Sequence, residues 1–172
     1  NQYLPHGAST LNQKIGLVFL LLLIMSIGAA AQESSEMERN IDQRSFRLGG
    51  ISSFAEMVRV GVKTLALSAA TTPEEMDALV DEAKRIADAE QVMIYREVEL
   101  IVTDLFPADV AVGKHVLLIY KGSTLEDYLA LKRQKAELVE SGNYTGELRK
   151  EIAREFGKLL SYPDSMIEEK IK

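Results

Sequence analysis

Apolar and polar residues follow three different rhythms along this 172-residue chain, and each marks a different kind of segment. Ile15 to Ala31 is a run of seventeen residues without a charge, with Lys14 before it and Gln32, Glu33 and Glu36 after it. Its densest part, Ile15 to Ile27, has the length of a signal-peptide core, and Ala29-Ala30-Ala31 supplies small residues for cleavage. As a helix the run would be roughly 26 Å long, slightly short of a hydrocarbon layer of about 30 Å, so a cleaved signal is favoured over an uncleaved anchor. Residues 32–49 are polar, lack a sustained period and read as a tether that ends in a turn at Gly49-Gly50.

The second rhythm is alternation. Val58-Arg59-Val60-Gly61-Val62-Lys63, continued by Leu65 and Leu67, predicts a strand. A helical stripe of Phe54, Val58, Val62 and Leu65 is its rival. Val92 to Thr103 is rich in β-branched residues and predicts a second strand, with Glu97 and Glu99 on a wet face. His115 to Tyr120 predicts a third, more fully apolar strand, antiparallel to the second across the Asp104–Lys114 connection.

The third rhythm is helical. Thr72-Pro73-Glu74-Glu75 places a cap, a first-turn proline and a capping-box glutamate ahead of Met76, Leu79, Val80, Ala83, Ile86 and Ala87, so a helix from Pro73 to about Glu90 is expected. Ser123 and Glu126 form the same signal for a helix closed by Gly142. A further helix follows over residues 146–160, and a short one after Tyr162-Pro163. The order β-α-β-β-α-α predicts an α+β fold, a small three-stranded sheet with helices packed on one face. The expected organisation is an N-terminal extension plus signal peptide or anchor over 1–31, a tether over 32–49 and one domain over 50–172.

Charge divides the chain at the same point. All 26 acidic residues lie beyond Ala31, whereas one of the 20 basic residues, Lys14, precedes it, so the remaining 141 residues carry 19 basic groups and a net charge of −7. That balance, with mixed signs around Lys132, Arg133 and Lys135, argues against nucleic acid as a partner. Lys14 on one side of the apolar run and acids on the other direct the body out of the cytoplasm, secreted or periplasmic after cleavage near Ala31, or held at the membrane through residues 15–31 alone. A start at Leu11 would shorten the segment ahead of the run to Asn12, Gln13 and Lys14. The absence of Cys excludes disulfides, thiolate metal sites and a Cys nucleophile, and leaves the fold to packing alone.

Candidate chemistry is sparse. Only His115 and His6 are present, so beyond residue 31 no pair of His ligands exists, and neither a metal nor a cofactor is expected. His115 at a strand start, with Asp104 and Asp109 in the loop before it, is the one acid/base set in reach. Each of the three also has an ordinary structural role, at a strand end or in a turn. Lys121, Ser123 and Thr124 precede a helix whose free N–H groups attract anions, without the upstream glycine of a phosphate loop. Asn143-Tyr144-Thr145 is a glycosylation sequon in a loop. These features point to an exported or tethered extracytoplasmic domain that binds a protein or small ligand through its sheet face and the Asp104–Lys114 loop. The alternative is a small exported hydrolase or isomerase using Asp104, Asp109 and His115.

Overall fold

The computed structural model describes residues 43–171, so the expectations for the signal or anchor and for the tether up to residue 42 lie outside the described residues. The described chain opens with a helix, α1, over 43–59, in which Ile51, Ala55 and Val58 recur at helical spacing and are buried. Gly49 and Gly50 are helical, not a turn, and the compact unit reaches back to Ser45, into the stretch read from sequence as tether.

The strand expected from Val58 is likewise replaced. Gly61 adopts φ 80°, a left-handed conformation that ends α1 with Gly61 N–H donating to Val58 O at 3.2 Å and Val62 N–H to Met57 O at 2.9 Å. Val60 and Val62, apparent strand residues, are left 55% and 65% exposed. Alternation through Val58-Arg59-Val60-Gly61-Val62 thus comes from a helix end followed by its glycine cap. Strand β1 is only Leu65–Leu67.

Helix α2, Pro73–Ala89, forms as its start signal requires. Thr72 accepts from Glu75 N–H at 3.2 Å, and the Glu75 carboxylate accepts from Thr72 N–H at 3.0 Å. Arg47, at 2.9 Å from the same Glu75 carboxylate, ties α1 to the start of α2. The hydrogen bond from Thr72, then Arg47, holds the Glu75 carboxyl below its ordinary value of 4.5. A lowered folded value means that this contribution is present above about pH 4.5 and is lost as pH falls through the lowered value. Thr72→Ala is expected to cost about 1 kcal/mol in urea unfolding, and Glu75→Gln to remove that acid-range slope.

Strand β2, Met93–Glu97, is shorter than the expected 92–103, because a bend at 98–99 takes Leu100 and Ile101 into the core as irregular chain. A single turn, α3 (Ala108–Ala111), precedes β3, Val116–Tyr120. The sheet order is β1-β3-β2, antiparallel throughout, with Glu97 opposite Val116 and Met93 opposite Tyr120. Helices α4 (Thr124–Glu140), α5 (Gly146–Leu159) and α6 (Asp164–Lys170) complete the fold. The class is α+β with a small three-stranded sheet, as the patterns predicted.

The helices are not confined to one face. All five residues of β3 are buried, and they divide between two cores. Val116, Leu118 and Tyr120 pack with Tyr128 and Leu131 of α4 and Ile152 and Phe156 of α5. Leu117 and Ile119 pack with Ile51, Ala55 and Val58 of α1 and Met76 and Ala83 of α2. An uninterrupted apolar run in a central strand is what burial on both sides demands. The one-face expectation failed because α2, read correctly as a helix, packs with α1 on the face opposite α4 and α5.

The cap of α4 also differs. Ser123 has φ −89° and ψ 8° and makes no side-chain cap bond; Thr124 Oγ1 instead donates to Lys121 O at 2.9 Å. Behind α5, Gly157 allows α6 and the 104–107 turn to press close, since a Cβ there would lie 2.7 Å from Ile167 Cγ1 and 2.9 Å from Leu105 Cδ1.

Candidate functional site

Successive residues of β2 point to opposite layers, which separates two polar clusters. Arg96 shares its face with Ile94 and turns toward α2. Its guanidinium donates to His115 Nδ1 at 3.0 Å from Nε, to Asp77 Oδ1 at 2.5 Å and to Pro73 O at 3.1 Å. His115 is thereby an acceptor at Nδ1, which leaves its proton on Nε2. The backbone of His115 bridges to Thr71.

Glu97 turns the other way and is 2% exposed, not on a wet face with Glu99. Oε1 accepts from Lys132 Nζ at 3.0 Å and from Glu99 N–H at 2.8 Å, and Oε2 accepts from Tyr128 OH at 2.9 Å. The Tyr128 oxygen in turn accepts from Ile101 N–H at 3.3 Å. Burial first, and then the Glu97 charge, push the Tyr128 phenol far above its ordinary value, so it stays protonated and donates. Four residues apart on α4, Tyr128 and Lys132 clamp one carboxylate and hold the irregular 98–103 segment against the helix.

Beside that clamp lies a cleft of about 510 Å³, bounded by residues 98–102, by Ala111, Val112 and Gly113, and by the outer face of α4. Val98, Val112 and Val139 line it and are 57%, 70% and 55% exposed, an apolar surface in water. Its polar groups are Lys132, Lys135, Glu99 and Glu140. Lys135 is half-buried, with Nζ 5.2 Å from the Tyr144 ring centroid. Burial, chiefly, holds its ammonium below the usual lysine value; Glu99 opposes that shift and Lys132 adds to it. The volume suits a small ligand, and apolar walls with a few convergent charges are the usual composition of a binding cleft.

The acid/base candidates fall in separate places. Asp104 pairs with Arg149 of α5, has one carboxylate oxygen, Oδ2, buried without a partner, and borders a cavity of about 460 Å³ with Glu169 and Lys170. Asp109 is exposed on α3. His115 is held by Arg96. Among the described residues no hydrogen bond or ion pair joins any two of the three. Lys121 reaches Arg59 O at 3.4 Å, Ser123 is exposed, and the Thr124 hydroxyl is turned to Lys121 O. Asn143 is exposed in its loop, with Nδ2 donating to Ser141 Oγ at 3.1 Å.

Among the described residues, no group of three or more His, Asp or Glu side chains is placed to hold a metal, and no helix is long and apolar enough to cross a membrane. No protein-family model matches the chain, and neither the curated proteins nor the solved structures give a significant match.

Glu97 was expected on a wet sheet face and Lys132 and Lys135 on a mixed solvated helix face, so none of them, nor Tyr128, was expected as a site residue. The available signal was the Tyr128–Lys132 spacing on one helix face, together with a glutamate at the end of a strand whose continuation is apolar. Both sheet faces are covered by helices, so the sheet-face half of the expected binding surface is not open, whereas residues 111–113 of the expected loop do line the cleft.

Proposed function

We propose that the protein is an exported or membrane-tethered extracytoplasmic module that binds a small ligand in the cleft between α4 and residues 98–113. The observation that carries this reading is the combination of cleft volume, exposed valines on its walls and a clamp that fixes one wall to the other. Such a site is held open by structure already formed, so a ligand need not order it. The export half of the reading rests on residues 15–31, and Asn143 is the position at which a glycosylating host would add sugar.

The test is binding of N-phenyl-1-naphthylamine, a neutral apolar fluorophore, to the chain purified from its host. Ala136 faces the cleft from the exposed side of α4, so Ala136→Trp fills the space without disturbing the core. Saturable binding that Ala136→Trp abolishes, with an unchanged circular dichroism spectrum, is the expected result. Binding indifferent to Ala136→Trp would remove the cleft from consideration.

A further inference from the structure

The charges of the cleft narrow its ligand, on the reading that the cleft is a ligand site at all. Lys132 and Lys135 stand three residues apart on the face of α4 that forms one wall, close enough for Lys132 to repel the Lys135 charge. Lys132 spends one of its three N–H donors on Glu97, and the pair neutralises itself beneath the wall. Lys135 has no carboxylate within ion-pair distance among the described residues; its neighbour is the Tyr144 ring. A half-desolvated ammonium next to a like charge is stabilised most by an anion that both can reach. The acids of the cleft, Glu99 and Glu140, are exposed, where water screens them, so they set an upper limit on ligand charge without abolishing the attraction. Around this point the walls are aliphatic, built from valine, alanine, Leu100 and Ile101.

From this juxtaposition of two lysines with apolar walls, we infer that the cleft binds a free amphipathic monoanion, an aliphatic or aromatic carboxylate or sulfonate, with its head at Lys132 and Lys135 and its apolar body along Val98, Val112 and Val139. Polyanions are disfavoured by Glu99 and Glu140, and neutral analogues lose the head-group bonds.

The experiment compares 8-anilinonaphthalene-1-sulfonate with neutral N-phenyl-1-naphthylamine on the purified chain and five variants. The sulfonate is expected to bind at least tenfold more tightly than the neutral probe. Dodecanoate is expected to displace it, and methyl dodecanoate to fail at the same concentration. Lys135→Met should weaken the sulfonate about tenfold and leave the neutral probe within twofold. Lys135→Gln is a second variant should Met perturb the fold. Arg133→Met removes the same charge from an exposed position outside the cleft lining and should change neither probe. Glu99→Gln should tighten the sulfonate severalfold. Equal binding of both probes, insensitive to Lys135 yet abolished by Ala136→Trp, would overturn the anion inference while leaving the ligand cleft standing. Binding of both probes that survives Ala136→Trp would overturn both.

Discussion

Lys132→Met is expected to destabilise the protein by about 3 kcal/mol, a fall of roughly 10 °C in Tm, although the lysine it removes is partly exposed. The reason lies in the partner. Glu97 is almost wholly buried, and without Lys132 its charge would be left to the Tyr128 hydroxyl and the Glu99 N–H. An uncompensated carboxylate in that position costs far more than an exposed ion pair contributes. The reverse change is milder: after Glu97→Gln, Lys132, with a side chain 29% exposed, can extend its ammonium into water, so about 1 kcal/mol is expected. The double variant Glu97→Gln/Lys132→Met should recover more than half of the loss seen in Lys132→Met, a coupling measurable by urea unfolding of all four proteins. A cost below about 1 kcal/mol for Lys132→Met would mean that water reaches Glu97, and that the clamp is a surface pair.

The sequence made some of this legible and hid the rest for identifiable reasons. Helix α2 was readable to within a residue because its start signal is local: Thr72, Pro73 and Glu75 act on one another within four positions. The apolar run of β3 was equally plain, and its lack of polar positions already called for cover on both faces. Helix α1, which with α2 supplies the second cover, was missed because Val58 to Lys63 alternates as a strand does, while the residue that decides the matter, Gly61, acts through its left-handed backbone conformation and has no periodicity to show. The candidate site was the least legible part. Glu97 and Glu99 share a strand parity, but the chain bends at 98–99, so one is buried beneath α4 and the other remains in water. The partners of Glu97 stand 31 and 35 residues further along, a separation at which a charge pattern carries no positional information. Asp104 and His115 were close in sequence and chemically suggestive, yet each is held by an arginine from a different element, Arg149 of α5 and Arg96 of β2.

Phe156→Ala is expected to have the largest effect of any single truncation, about 3–5 kcal/mol, and to reach the cleft as well as the core. The ring is fully buried at the meeting of α4, α5 and the 103–107 segment. Its centroid lies 5.6 Å from that of Phe106, edge to face, and 6.0 Å from that of Tyr128. Truncation therefore removes a large apolar volume and the support beneath Tyr128, whose hydroxyl joins Ile101 N–H to Glu97. Since Leu100, Ile101 and Ala111 belong to the same core and also line the cleft, a void at position 156 should let that wall move. The neutral naphthylamine is thus expected to bind Phe156→Ala several times more weakly under conditions where the variant remains folded. Phe156→Leu retains most of the volume, should cost less than half as much, and should bind the probe normally. Unchanged probe affinity in folded Phe156→Ala would show that the cleft wall is held by the Glu97–Tyr128–Lys132 clamp alone, independent of the packing behind it.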